Sequence, residues 1–160
     1  METELLEEKV GQLLLQHSLT IACAESCTGG LLTSRLTDVA GSSAYVLGSV
    51  VSYSNEVKIS HLGVKPDTLA RVGAVSEETA REMALGIRER IGTDIGVGIT
   101  GIAGPGGGSA EKPVGLVYIS LSDAKGTVIK KNNFSGTRRE IKQQTTDKAL
   151  TMLLDYLTKK

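Results

Sequence analysis

The segment "LTIACAESCTGGLLTSRLTDVAG", Leu19–Gly41, contains the change of pattern that decides the fold. Its opening, "LTIACAE", is short, β-prone and largely apolar, the pattern of a strand buried on both faces. Hydroxyls, a thiol and two glycines interrupt it at Ser26–Gly30. From there "GGLLTSRLTDVAG" reads as a helix that Gly41 is expected to close. A buried strand that feeds a helix is half of a β–α unit, and such units build sheets covered by helices.

The same alternation extends in both directions. Residues 2–17 carry Leu5, Val10, Leu13 and Leu14 at helical spacing, with early glutamates that suit a helix N-terminus. "AYVLGSVVSYS" reads as a second strand, "NEVKISHLG" as a short helix ending at Gly63, and "PDTLARVG" as another opened by Pro66. In "SEETAREMALGIRERIG", Ser76 is the expected N-cap and Gly92 the stop, with acids in the first turn and arginines in the last. "DIGVGITG" is a third strand and "IAGPGGGSAEKP" a loop. "VGLVYISLSD" and "TVIKKNNFSG" are strands joined by a turn at Ala124-Lys125-Gly126. The final helix sets Ile141, Ala149, Met152, Leu153 and Tyr156 on or near one stripe. Strands joined by helices run parallel, whereas a tight turn forces one strand antiparallel. The expectation is an α/β protein: a three-layer α/β/α sandwich with a mixed, mostly parallel sheet of about five strands, one of them antiparallel, in a single domain over residues 1–160.

Composition narrows the function classes. The 160 residues carry 18 Lys plus Arg against 18 Asp plus Glu, so no net charge pulls the chain toward phosphate backbones or membranes. Four Tyr, one Phe and no Trp leave no stacking platform for single strands, so no nucleic-acid partner is expected. Cys23 and Cys27 are not a C-x-x-C pair, and His17 and His61 complete no zinc spacing; no metal is expected. No apolar run reaches the roughly 20 residues of a membrane span. "METELLEEKV" lacks the order of a signal peptide, so a cytoplasmic protein without a membrane partner is expected.

Ligands of open α/β sheets bind beyond the carboxyl ends of the parallel strands. Three segments leave those ends here: "ESCTGG", "YSNEVK" and "TGIAGPGGG". Ser26 is a candidate nucleophile, and the N–H groups of Cys27, Thr28 and Gly29 at a helix start are candidate oxyanion or phosphate donors. A plain N-cap with glycines for close packing explains the same residues equally well. The stretch is not G-x-S-x-G, G-x-G-x-x-G or a Walker loop. Neither histidine suits a Ser-His-Asp layout, which leaves Lys58 as the base candidate. A helix N-terminus and partial burial both lower a lysine pKa, although an arbitrary lysine is most often a solvated surface charge. Tyr53 and Asn55 lie at the same strand exit, where they could orient Lys58, bind substrate or simply end the strand. Thr100, Gly101, Gly104 and Gly106 belong to a segment richer in glycine than one turn needs, either an anion nest or a flexible linker. Arg138 and Arg139 open the last helix against its dipole and are candidates for phosphate or carboxylate. Cys27 is the rival nucleophile, because a thiol at a helix N-terminus has a lowered pKa.

Taken in order, ESCTGG, YSNEVK and GITGIAGPGGG strongly resemble the CinA C-terminal domain family, whose members act as nicotinamide-nucleotide amidohydrolases, or nicotinamide mononucleotide deamidases. The resemblance runs from about Leu19 to the end. It implies a three-layer fold with a mixed five-stranded sheet. It also implies hydrolysis of the carboxamide of nicotinamide mononucleotide to nicotinate mononucleotide and ammonia, with no metal or cofactor. A serine with a lysine partner is implicated in the family; here these fall on Ser26 and Lys58, with Tyr53 and Thr28 close by. The pyridinium charge makes Glu25 an expected electrostatic partner. The family's Gly-Asp-Arg motif reads Gly136-Thr137-Arg138 here, which departs at Thr137 and keeps Arg138. Longer relatives carry an additional N-terminal domain, and this chain resembles the stand-alone form. The expected partners are the mononucleotide substrate and further copies of the chain, as a dimer or higher homo-oligomer. The competing reading is a non-catalytic nucleotide-binding regulator that uses the same crevice.

Overall fold

The computed structural model describes residues 3–160; residues 1 and 2, which belong to the expected first helix segment and domain span, lie outside the described residues. The elements follow in the order α1 (Leu6–Gln16), β1 (Ile21–Glu25), α2 (Leu31–Thr37), β2 (Val46–Val51), α3 (Asn55–Leu62), α4 (Pro66–Val72), α5 (Glu77–Ile91), β3 (Ile95–Gly101), β4 (Leu116–Asp123), β5 (Gly126–Asn133) and α6 (Arg138–Thr158). The five strands form one sheet in the order β2-β1-β3-β4-β5. β2, β1 and β3 are parallel, and β4 runs antiparallel to both β3 and β5, so one strand opposes the other four. The physical reason is the connections. β3 returns through the loop 102–115 without a crossover helix, and Asp123 closes the β4–β5 turn by accepting from the Lys125 and Gly126 N–H groups at 2.8 and 3.1 Å.

Helices α1, α2 and α6 cover one face of the sheet, and α3, α4 and α5 the other. The larger core lies under the first group and gathers Val10, Leu14, Leu32, Ile99, Val117 and Leu153, all essentially buried. Arg35 ties that layer together. Its Nε pairs with Glu7 at 2.8 Å and its Nη1 with Asp147 at 2.6 Å, which links α2 to both α1 and α6. On the other face, Gly86 of α5 sits so close to the Leu62 carbonyl of α3 that a Cβ there would collide with it. The folded chain exposes 7948 Å², near the roughly 7,600 Å² that surface scaling gives for one domain of this mass. Among the described residues no helix is long and apolar enough to cross a membrane.

The caps at Ser76, Gly63 and Gly92 form as the sequence leads one to expect, and Ser54, rather than Asn55, caps α3. Gly41 does not close α2. That helix stops at Thr37, with the Asp38 N–H shared between the Ser34 and Arg35 carbonyls, and Gly41 instead opens a 3-10 turn over Ser42–Ala44. The early stop carries the chain around so that Tyr45 is buried beneath α1, where Gly11 leaves room for its ring.

The parallel register positions the site. Glu25 is paired with Val51 on one side and Ile99 on the other, so β2, β1 and β3 end at nearly the same level. The segments that follow them emerge side by side at one edge of the sheet.

Candidate active site

Ser26 is held from both sides. Its N–H donates to the Ile99 carbonyl at 3.1 Å, and its own carbonyl accepts from Gly29 N–H at 3.0 Å, which closes a tight arch before α2. The helix begins only at Leu31, after Gly30 at φ +100°, later than the sequence suggests. The preceding residue, Glu25, turns inward and is fully buried. One carboxylate oxygen accepts from Thr28 Oγ1 at 2.6 Å and Leu32 N–H at 2.9 Å; the other accepts from Thr33 N–H at 2.9 Å and Thr33 Oγ1 at 2.6 Å. A carboxylate on the first N–H groups of a helix satisfies orphan donors and complements the dipole. Glu25 thus serves as the cap of α2.

Lys58 reaches the arch from the next strand. Ser52 extends the pairing past β2 by donating its N–H to the Glu25 carbonyl at 2.7 Å. Ser54 then caps α3 by accepting from Val57 N–H at 3.2 Å, and the first turn carries Lys58 inward. Its Nζ donates to the Ser52 carbonyl at 2.8 Å and lies 3.2 Å from Ser26 Oγ. Lys58 is only 2% exposed, and among the described residues no carboxylate stands within ion-pair distance of it. Burial therefore holds its pKa below the ordinary lysine value, with Cys27 opposing that shift. A neutral amine at this distance can accept the serine proton, which is the requirement for an activated hydroxyl. The Cys27 thiol, by contrast, is pushed up to about 12 by burial, with the Glu25 charge adding to the shift. The lowered thiol pKa expected from a helix N-terminus is not found, because the helix starts four residues later and the sulfur is packed in the core.

These groups open into a cleft of about 280 Å³. Ser26, Cys27 and Lys58 line it, Tyr53 and Asn55 form one wall, and Thr100, Gly101, Gly104 and Gly106 the facing one. Arg138 completes it at the start of α6. Its guanidinium donates to the Gly104 carbonyl at 2.7 Å and to the Tyr53 hydroxyl at 2.6 Å, and so joins the two walls. Tyr53, 62% exposed, thus stands at the rim with Arg138 and makes no hydrogen bond to Lys58. Thr100 is buried and donates its hydroxyl to the Ala74 carbonyl at 2.8 Å. Of the residues singled out from sequence, Glu25, Thr28, Gly29 and Arg139 are not among those lining the cleft. The Gly29 N–H is engaged by Ser26, whereas the Cys27 and Thr28 N–H groups have no protein acceptor among the described residues. Thr137 caps α6: its hydroxyl accepts from Glu140 N–H at 3.2 Å, and the Glu140 carboxylate accepts from Thr137 N–H at 2.9 Å.

The cleft also has contributors that the sequence did not mark. Ala74 and Val75, between α4 and α5, form part of its lining. That connection is fixed by its carbonyls. Lys112 Nζ donates to Val72 O at 2.6 Å, Ser76 and Thr79 hydroxyls donate to Gly73 O at 3.0 and 2.8 Å, and Thr100 holds Ala74 O. Nothing in the apolar pair Ala74-Val75 signals this role; the lysine of "AEKP" is the only trace, and its partner lies 40 residues away. The lining contains two basic residues, Lys58 and Arg138, and no carboxylate. A larger hollow of about 420 Å³ lies at the far end of the sheet, between the β4–β5 hairpin and the last turns of α6. There Asp123 accepts from the Tyr156 hydroxyl at 2.7 Å, and the lining holds no serine, cysteine or histidine. Among the described residues no group of three or more His, Cys, Asp and Glu side chains is placed to hold a metal ion.

The chain has close relatives. A protein named as competence-damage inducible from Moorella thermoacetica is 55% identical over 153 residues, covering 95% of this chain and 37% of the relative. A CinA-like protein from Kosmotoga olearia is 51% identical over 154 residues, covering 96% of this chain and 36% of the relative. The chain thus spans well under half the length of these curated relatives. Among solved structures, the competence/damage inducible protein CihA from Agrobacterium tumefaciens superposes with a TM-score of 0.90 at 41% identity, covering 99% of both chains. A CinA superfamily protein from Klebsiella pneumoniae superposes with a TM-score of 0.93 at 33% identity, covering 97% of both. The profile of the CinA C-terminal domain matches residues 3–157, and the chain belongs to that family.

Proposed function

We propose that the cleft hydrolyses the carboxamide of nicotinamide mononucleotide, giving nicotinate mononucleotide and ammonia. The observation that carries this reading is the buried approach of Lys58 Nζ to Ser26 Oγ at 3.2 Å, without a carboxylate to hold the lysine charged. Neutral Lys58 takes the Ser26 proton as Oγ attacks the carboxamide carbon. The oxyanion that develops is met by the free N–H group of Cys27, which lines the cleft. The C–N bond breaks, and the proton held by Lys58 leaves with the amine as ammonia. Water then attacks the ester; Lys58 takes its proton and returns one to Ser26 as nicotinate departs. Arg138, in a lining that holds no carboxylate, suits a substrate that carries a phosphate, which favours the mononucleotide over the free amide.

Ammonia release from nicotinamide mononucleotide is the test. Ser26→Ala is expected to abolish it, while Cys27→Ala retains it. Wild-type release from Ser26→Ala would overturn the serine assignment. Tight binding of the nucleotide by the wild-type protein with no ammonia would favour a regulator that only binds.

A further inference from the structure

The two halves of the loop 102–115 are held in different ways. The inner half is fastened at its base. Ile102 N–H donates to Leu116 O at 2.9 Å, Gly115 N–H donates to Ile102 O at 2.7 Å, and Arg138 holds Gly104 O. The outer half, 105–112, contains no helix or strand, and residues 105–111 are all exposed. Among the described residues a single hydrogen bond ties it to the rest of the protein, from Lys112 Nζ to Val72 O at 2.6 Å.

The surroundings of Lys112 serve that contact. A closed turn presents the residue: Ser109 N–H donates to Lys112 O at 2.8 Å, and Lys112 N–H donates to Ser109 Oγ at 3.0 Å. The residue is half-buried, and among the described residues no carboxylate pairs with its side chain. Its Nζ lies over Gly73, where a Cβ would stand 3.1 Å away. The acceptor belongs to a fixed piece of backbone, because Ser76 and Thr79 hold Gly73 O and Thr100 holds Ala74 O. The next two residues, Ala74 and Val75, line the cleft, as do Gly106 and Gly107 of the outer half of the loop.

We infer that Lys112 is a positioning residue for substrate binding: it clasps the outer half of the loop to the α4–α5 connection and so sets the width of the cleft between Gly106-Gly107 and Ala74-Val75. The inference rests on the function proposed above and adds to it the residue that fixes this wall. Ser26 and Lys58 are held through Ile99, Gly29 and Ser52, none of which Lys112 bonds. Loss of the clasp therefore lowers the population of the binding-competent cleft and leaves the approach of amine to hydroxyl unaltered.

The experiment compares Lys112→Met, which keeps the apolar stem and removes the donor, with the wild-type protein. KM for nicotinamide mononucleotide is expected to rise at least about tenfold while kcat stays within about threefold. Glu-C protease, which cuts after glutamate, is expected to cleave the folded variant at Glu111 several-fold faster than folded wild type, each rate taken relative to the matching loop peptide. An unchanged KM or equal cleavage would overturn the inference. So would a fall in kcat at unchanged KM, which is what loss of folded protein produces. Should the wild-type protein neither bind nor deamidate the mononucleotide, the proposed function fails by itself. Cleavage at Glu111 then decides the clasp: a faster rate in the variant sustains it and equal rates refute it.

Discussion

Glu25→Gln replaces one oxygen of a fully buried carboxylate with an amide nitrogen of nearly the same size, so no cavity forms and the effect is electrostatic. Each carboxylate oxygen accepts one backbone N–H and one threonine hydroxyl. Whichever way the glutamine amide points, its NH₂ faces the N–H of Leu32 or Thr33, two donors with nothing between them. The threonine hydroxyl can rotate to accept, but the backbone N–H cannot. Orphaning one buried donor costs about 1–3 kcal/mol, and weakening the remaining bonds from charged to neutral adds about 1 kcal/mol. A loss of about 3 kcal/mol in a domain of this size corresponds to about 6–12 °C in Tm. Thermal and urea unfolding followed by far-ultraviolet circular dichroism measure it. Ligand binding, extrapolated to conditions where the variant is folded, should be nearly unchanged, since Glu25 does not line the cleft. A variant with wild-type Tm and weakened nucleotide binding would refute this reasoning and return Glu25 to the ligand.

The remaining predictions concern Lys58 and the cap of α6. Because burial lowers the Lys58 pKa, the active neutral amine grows in as pH rises; kcat/KM should therefore climb with pH along an acidic limb centred below 10.5. Lys58→Met should lower kcat by about 10²–10⁴-fold and abolish that limb; an unchanged pH profile would remove Lys58 as the base. Thr137→Ala should cost about 1 kcal/mol through loss of the capping box, whereas Thr137→Asp, another good cap, should keep both stability and activity. Loss of activity in Thr137→Asp at unchanged Tm would show that the side chain does more than cap.

The features that were legible in the sequence are local ones. "LTIACAE" reads as a buried strand because its apolar run is short and β-prone, and Ser76 and Gly92 bound α5 because hydroxyl and glycine caps act on their own turns. The antiparallel strand followed from the tight turn at Ala124-Lys125-Gly126, and the three motifs of the cleft from where parallel strands end. Gly41 misled because a left-handed glycine marks any tight turn, and the competing signal, burial of Tyr45, is not visible locally.

The sequence by itself determined the order of elements, the exits at which chemistry is placed and the candidates Ser26, Lys58 and Arg138, since period and capping depend on near neighbours. Only the tertiary structure decided which of them meet. Lys58 touches Ser26 across 32 residues, and Arg138 reaches Tyr53 across 85. It also decided that Glu25 turns inward and that Ala74 and Val75 line the cleft. Such contacts depend on strand register and on how far each helix sinks onto the sheet, and both are set by packing summed over the whole core.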